Sequence, residues 1–186
     1  MNKTDLRVIK TKKCLYNALL ILMKDNTFEN IKVSDICDKA LVNRSTFYSH
    51  FDDKYDLLYD FITDLKNELA NELENNNEIA STRLYYLKMI ELFINHIEDK
   101  KDIYSMVMKN NRNGITTDMV YQTLNQDVLK RLENETDKQA NKIPREIIAK
   151  FYLGAIINVG MELLENNKYT KEEILTYFDE LIPENL

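Results

Sequence analysis

The stretch Ile31–Leu58 reads IKVSDICDKALVNRSTFYSHFDDKYDLL. Its first segment, VSDICDKA, carries apolar residues at spacings of three, one and three, which predicts a short helix with one apolar face. The tripeptide LVN separates this segment from a second one, RSTFYSH. Two short helices joined by a tight turn are the parts of a helix-turn-helix unit, so we expect one here.

The second short segment has the side chains that are needed to read DNA. Asn43 is placed to cap it. Small polar and basic side chains at the start of a helix can reach base edges or phosphates, and helix N-terminal amides also favour phosphate. Phe47 and Phe51, four residues apart, are expected to anchor the segment inward. The residues then left available for DNA are Arg44, Ser45, Thr46, Tyr48, Ser49 and His50.

The rest of the chain predicts an all-α fold of about nine helices. Only 3 Gly and 2 Pro occur in 186 residues, too few for the turns of a sandwich or barrel. Asp52-Asp53 offers a cap for a long helix, and Thr170 begins a capping box with Glu173. We therefore predict a helix-turn-helix domain at 1–52, a connecting helix at 53–74 and a helical effector-binding and dimerisation domain at 75–186.

The net charge of −6 hides an asymmetry. Residues 1–50 hold nine Lys or Arg and five acidic residues, a net charge of +4, while the remainder carries −10. A basic end on an acidic body suggests two separate tasks, of which the basic end suits a phosphate-bearing partner.

Residues 31–58 as a block closely resemble the tetracycline-repressor (TetR) family of transcriptional regulators. The positions that match the family's hallmark are Thr46, Phe47, Tyr48, His50, Phe51 and Lys54. The resemblance implies a homodimer that reads a palindromic operator in double-stranded DNA with two recognition helices. The number of helices and the chain length agree with the family's layout.

The resemblance also implies roles for individual residues. Residues matching Arg44 and Thr46 contact bases or phosphates, and those matching Ser34, Tyr48, His50 and Lys54 mostly hold the DNA backbone. A lysine at a helix start opposes the helix dipole, so a phosphate partner is a sensible reason for Lys54. A basic cluster in the first helix either adds phosphate contacts or is a solvated face: Lys3, Arg7, Lys10, Lys12 and Lys13.

Two positions depart from the family pattern. Leu41 stands in the turn where the family usually has Gly. If the backbone there is left-handed, Leu costs roughly 1–2 kcal/mol. Lys32 stands where the family often has a capping Thr, so we expect the cap either to shift to Ser34 or to be unfilled.

The second half offers candidates for an effector pocket and a dimer interface. Its Met and aromatic residues line a pocket or fill an ordinary core. The pocket candidates are Tyr86, Phe93, Met108, Tyr121, Phe151 and Tyr152. Small residues on an apolar helix either admit a partner helix in a four-helix bundle or pack within the chain; these are Gly154, Ala155 and Gly160.

Nothing in the sequence predicts an enzyme, a cofactor or a metal site. The two His lie in neither of the common zinc-binding spacings, and there is no phosphate-binding glycine loop. No 18-residue apolar run or signal segment appears, so we expect a cytoplasmic protein with no membrane partner. We predict a repressor released by an effector, either a small molecule or a protein. The alternative is a helical protein-interaction module or a regulator controlled by a partner protein.

Overall fold

The computed structural model describes residues 3–75, 82–111, 114–134, 143–165 and 168–182. These ranges contain nine α-helices, a single 3₁₀ turn and no strand, which confirms the predicted all-α class. In chain order the elements are α1 (Lys3–Met23), the 3₁₀ turn (Phe28–Asn30), α2 (Val33–Ala40), α3 (Arg44–Tyr48), α4 (Lys54–Asn75), α5 (Thr82–Asp99), α6 (Lys101–Asn111), α7 (Ile115–Asn134), α8 (Arg145–Glu165) and α9 (Lys171–Leu181).

The chain forms two compact units. The first combines Met1–Thr63 with Asp102–Met119, and the second combines Asp64–Lys101 with Val120–Leu186. The first unit thus contains the helix-turn-helix segment together with α6 from later in the chain. The functional division at 1–52, 53–74 and 75–186 stays a prediction.

The core of the first unit includes the apolar faces of α1, α2 and α3. α1 packs on α2, and α2 packs on α3. Each helix contributes side chains that are fully removed from water, and burying a large apolar side chain is worth about 1.5–3 kcal/mol. The fully buried members are Leu15, Leu19, Phe28, Ile36, Phe47 and Leu57.

Asn111, at the end of α6, anchors the connection between α1 and α2. Its buried side chain accepts a hydrogen bond from the Phe28 N–H at 2.7 Å. Its Nδ2 donates to the carbonyls of Met23 at 3.3 Å, Asn26 at 3.4 Å and Val107 at 2.9 Å. One amide side chain therefore satisfies polar backbone groups on both segments, which buried backbone requires.

Two apolar clusters lie among the described residues of the second unit. Its larger cluster joins α5, α8 and α9 through Ile90, Ile94, Leu163, Ile174, Phe178 and Ile182. Its smaller cluster centres on Ile148 and Ala149 of α8, against Val128 and Leu129 of α7. Arg83 fastens the end of α9, since its Nε donates to the Ile182 carbonyl at 2.9 Å and its Nη2 to Asp179 Oδ1 at 2.9 Å.

Two predicted helix caps are confirmed. Asp53 Oδ1 accepts hydrogen bonds from the backbone N–H groups of Tyr55 at 2.8 Å and Asp56 at 2.9 Å, at the start of α4. Thr170 and Glu173 form the reciprocal capping box of α9. No helix in the described ranges is both long and apolar enough to span a membrane.

The turn between α2 and α3 keeps the left-handed conformation that a glycine would favour. Leu41 has φ 57° and ψ 38°, and its N–H donates back to the last turn of α2. Its side chain is 94% exposed, so packing offsets none of the strain. Leu41 stands where the family usually has Gly, and the turn keeps its left-handed conformation. The cost of this substitution is therefore backbone strain, and the turn is not remodelled.

We expect Leu41→Gly to stabilise the protein. Glycine removes about 1–2 kcal/mol of left-handed strain and loses about 0.5–1 kcal/mol through its freer unfolded chain. The free energy of unfolding, measured by urea denaturation, should rise by about 0.5–1 kcal/mol. Leu41→Ala is the matched control, because it keeps the Cβ that causes the strain. Equal stability of the Gly and Ala variants contradicts this account.

Candidate nucleic-acid interface

α3 presents one face to solvent and one to the core. Phe47 is fully buried and lies against Phe51, with 5.7 Å between ring centroids. Arg44 and Tyr48, four residues apart, are exposed on the other side, and Tyr48 is 57% exposed. The sequence therefore folds so that an apolar anchor holds the helix while its polar side chains remain available.

The structure brings most of the predicted DNA-contacting residues to the surface of this short segment. Three of these side chains are only half-buried: Ser34 at the start of α2, Thr46 in α3 and His50 just after it. The exposed members are Arg44, Ser45, Tyr48 and Ser49. Ser49 Oγ donates to the Thr46 carbonyl at 2.7 Å and so helps to end the helix.

Neither short helix is capped by the side chain of its cap residue, which confirms the expected alternative of an unfilled cap for α2 and contradicts the expected cap by Asn43 for α3. The cap position of α2 is Lys32, and Ser34 does not take it over. Instead the carboxylate of Asp35 accepts the Lys32 N–H at 3.0 Å, so the free amide is satisfied from within the helix. Asn43 occupies the cap position of α3, but its side chain makes no capping hydrogen bond.

Cys37, in α2, behaves as a small apolar residue. It is buried in the face that α2 presents to the core. Burial raises the pKa of the Cys37 thiol, while the nearby positive charge of Arg44 opposes that shift. The sulfur is therefore protonated at neutral pH and adds no charge beneath the recognition helix.

Lys54, for which the family resemblance implies a contact with the DNA backbone, binds carbonyl oxygens of its own chain. Its Nζ donates to the carbonyl oxygens of Phe28 at 2.9 Å, Glu29 at 2.7 Å and Ile31 at 2.8 Å. It also lies 5.0 Å from the centroid of the Phe28 ring and 5.5 Å from that of Tyr55. The lysine at the start of α4 therefore holds the connection that leads into α2.

Lys12, one of the basic residues predicted in α1, is paired with a carboxylate of α4. Its Nζ lies 2.7 Å from Asp60 Oδ2, and the Tyr16 hydroxyl donates to the same oxygen at 2.5 Å. Its ammonium is also 5.5 Å from the centroid of the Phe51 ring. This partner of Lys12 was missed at the sequence level, because no local pattern links residues that are 48 positions apart.

Two of the six predicted pocket residues border a cavity that the described residues form. In the second unit, α7 and α8 border a cavity of about 30 Å³. It is lined by Tyr86, Val128, Ile148, Ala149, Tyr152, Leu153, Ile156 and Ile182. Of the six predicted residues only Tyr86 and Tyr152 belong to this lining.

The other four predicted pocket residues lie elsewhere. Phe151 is 69% exposed because its position on α8 faces away from the apolar clusters. Phe93 packs within the second unit, where its ring lies 3.8 Å from the place a Cβ on Gly160 would occupy. Tyr121 is half-buried in α7, and Met108 belongs to α6 in the first unit.

The predicted small residues of α8 also separate into two environments. Gly160 is buried and meets Phe93 of the same unit. Gly154 has no neighbouring atom within 4 Å of the place where a Cβ would stand, and Ala155 is half-buried. Gly160 therefore serves packing within the chain, and Gly154 lies on an open part of the helix.

No metal-binding cluster of His, Cys, Asp or Glu occurs among the residues that the structure describes. Burial lowers the pKa of His96 and raises that of the Tyr152 hydroxyl.

Comparison with known proteins covers both halves of the chain. Residues 15–60 match the family described as "Bacterial regulatory proteins, tetR family". Residues 85–184 match the family described as "Transcriptional regulator C-terminal region". No curated protein matches the chain.

Several solved structures share the fold. A TetR transcriptional regulator from Streptococcus agalactiae is 25% identical, with a TM-score of 0.65 over 97% of this chain and 98% of that one. The protein Lin0861 from Listeria innocua is 23% identical, with a TM-score of 0.65 over 97% and 93%. The dihydroxyacetone kinase operon activator DhaS is 20% identical, with a TM-score of 0.58 over 92% and 93%.

The two family matches and the fold agree with the exposed polar face of α3 on its buried anchor. The chain therefore belongs to the TetR family of transcriptional regulators, DNA-binding proteins that are not enzymes.

Proposed function

We propose that this regulator is a homodimeric repressor that binds a palindromic operator through α3 and leaves it when an effector binds. The observation that carries the DNA-binding part is the polar, exposed face of α3 above the fully buried Phe47. A recognition helix must present polar side chains into a major groove while its other face is fixed. We expect it to act in the cytoplasm, beside genomic DNA.

Arg44 is the proposed base-reading residue. It is exposed at the first position of α3, and an arginine bidentate to guanine is the commonest specific contact in a major groove. Thr46 and Ser45 follow it on the same helix and supply shorter polar side chains. We assign contacts with the DNA backbone to Ser34, Tyr48, Ser49 and His50, which position the helix but carry no sequence information.

The charge distribution supports the same orientation. The net +4 of residues 1–50 and the −10 of the remainder mean that only one end of the chain attracts DNA. Acidic residues elsewhere repel phosphates and so disfavour other ways of lying on the duplex. This asymmetry supports a single docking mode through the helix-turn-helix unit.

The first test is selection of binding sites from random double-stranded DNA, which we expect to yield an inverted repeat. Arg44→Ala should then weaken operator binding by about 10–100-fold, because a bidentate base contact contributes about 1–3 kcal/mol. It should also relax the preference at one base pair in each half-site. The measurement is a titration monitored by fluorescence anisotropy at fixed salt.

Lys100→Ala is the control for Arg44→Ala, since it removes an exposed positive charge between α5 and α6, outside the helix-turn-helix unit. It should leave the base preference unchanged. Recovery of no preferred sequence by the unmodified protein contradicts the proposed operator recognition.

α8 supplies the proposed dimer interface. Ile147 is 55% exposed and Phe151 is 69% exposed, and they lie one turn apart with Gly154 following on the same side. Leu181 at the end of α9 is also exposed. Exposed large apolar side chains one turn apart on α8 are typical of an interaction surface, and a two-fold axis lets the same surface serve both protomers.

We expect Phe151→Glu to weaken the dimer. A charge placed in an apolar interface loses the anchor and adds a desolvation cost, which should raise the dimer dissociation constant by about 30-fold or more, the equivalent of at least 2 kcal/mol. Sedimentation equilibrium measures this constant. Lys150→Glu, at the neighbouring exposed position, is the control for the added charge. Dimerisation that is equally strong in both variants contradicts this interface.

The proposed effector site is the cavity bordered by α7 and α8. Its lining is apolar apart from the hydroxyls of Tyr86 and Tyr152, and the Tyr86 hydroxyl donates to the Val128 carbonyl at a long 3.4 Å. At about 30 Å³ it is far smaller than the roughly 300–1,000 Å³ of typical ligand sites. A small-molecule effector therefore has to open the bundle as it binds, which links binding to a change of shape.

The small volume also favours the second candidate, regulation by a partner protein at the surface. The two candidate effectors, a small molecule and a partner protein, are distinguished by an experiment on the operator complex. Either the small-molecule fraction or the protein fraction of a cell extract is added to it. If the cavity is the site, the small-molecule fraction should release the unmodified protein. Ala149→Val, which narrows the cavity from a fully buried position, should bind operator equally but resist release. Release by the protein fraction alone supports the partner-protein alternative.

A further inference from the structure

The chain from Ile31 to Lys54, which contains α2, the turn and α3, forms a loop whose two ends meet. Lys54 begins α4, and its Nζ lies 2.8 Å from the carbonyl oxygen of Ile31, which precedes α2. The carbonyls of Phe28 and Glu29 bind the same ammonium group. The base of the helix-turn-helix unit is therefore closed by a side chain, independently of the packing between α2 and α3.

The electrostatic setting explains why a lysine is used at this point. The 3₁₀ turn Phe28–Asn30 directs carbonyl oxygens out of its end, where the partial charge of a helical turn is negative, and the Phe28 carbonyl also accepts the Ile31 N–H at 3.2 Å. The ammonium group has three N–H donors, and three carbonyls at 2.7–2.9 Å use all of them. The nearby faces of Phe28 and Tyr55 attract the same charge.

This geometry leaves no N–H of Lys54 for a phosphate oxygen. We propose that Lys54 is a positioning residue: it closes the base of the helix-turn-helix unit and thereby fixes the angle of α3, and it does not bind the DNA backbone. The inference rests on operator recognition by α3 as proposed above. It adds to that proposal that Lys54 contacts carbonyl groups of the protein and not the DNA.

Salt dependence separates the two roles. A lysine that neutralises a phosphate contributes about 0.9 to the slope of log K against log salt concentration, whereas a positioning residue contributes nothing. For Lys54→Met we expect operator affinity to fall about tenfold, with the salt slope and the affinity for non-specific duplex unchanged. Lys10→Met, at an exposed lysine of α1, is the charge-matched control and should keep the ratio of operator to non-specific affinity.

Lys54→Arg sharpens the comparison, because the two roles predict opposite results. A guanidinium spreads its donors over a planar fork and cannot direct three N–H bonds from one nitrogen at converging carbonyls. Positioning therefore predicts that Arg fails to restore operator affinity, while a phosphate contact predicts that it does. Circular dichroism during heating shows whether each variant is folded at the temperature of the titration.

Three results overturn the proposal: a salt slope reduced by about 0.9 in Lys54→Met, full operator affinity in Lys54→Arg, or a lower melting temperature with an unchanged affinity ratio. If neither variant folds, nuclear magnetic resonance of the unmodified protein decides. Couplings across the hydrogen bonds from Lys54 Nζ to the carbonyl carbons of residues 28, 29 and 31 should persist when a duplex is added, and their loss contradicts the proposal. This measurement needs only a non-specific duplex and no known operator. If no operator is found, that result therefore contradicts the proposed function of α3 but not the proposed role of Lys54.

Discussion

The burial of Phe28 is the constraint on which the first unit depends. Its side chain is fully removed from water, its N–H is buried and needs a partner, and its carbonyl, which also accepts the Ile31 N–H at 3.2 Å, is partly buried. Asn111 accepts the N–H and Lys54 donates to the carbonyl. A single apolar residue in a connection thus ties together α1, the helix-turn-helix segment, the start of α4 and the end of α6.

Both partners of this connection contact main-chain atoms, and this has a consequence for the sequence around Phe28. Neither Lys54 nor Asn111 depends on the side chains of Glu29 or Asn30. The connection can therefore vary in sequence at these exposed positions while its path is kept. By contrast, the interface helix α3 depends on its own side chains on both faces.

Local patterns were sufficient to predict the helices, the helix-turn-helix unit and two helix caps. Asp53 and Thr170 could be assigned from sequence because a cap and its partners lie within three residues. The partner of Lys54 could not, because it lies 23–26 residues earlier. The dipole argument correctly indicated that Lys54 needs a negative partner, but it could not distinguish a phosphate from the carbonyl end of another turn.

The same limit explains the other differences. No local pattern marks Asn111, whose side chain contacts Phe28, 83 positions away. Small and aromatic residues on α8 indicated a packed helix but not which neighbour each one meets. Gly160 meets Phe93 within the chain, whereas Phe151 faces outward, and a helical period of 3.6 residues does not identify partners.

The strained turn at Leu41 has a consequence for how faithfully α3 is presented. A residue with a Cβ occupies a narrow left-handed region of backbone angles, whereas glycine samples a much wider area around it. The backbone dihedral angles of Leu41 help to set the angle between α2 and α3. Its side chain is exposed and packs against almost no other residue. Leucine at this position therefore makes the fold less stable than glycine would, but it restricts the tilt of α3. One residue in the turn thus affects both the stability of the fold and the precision with which α3 is oriented.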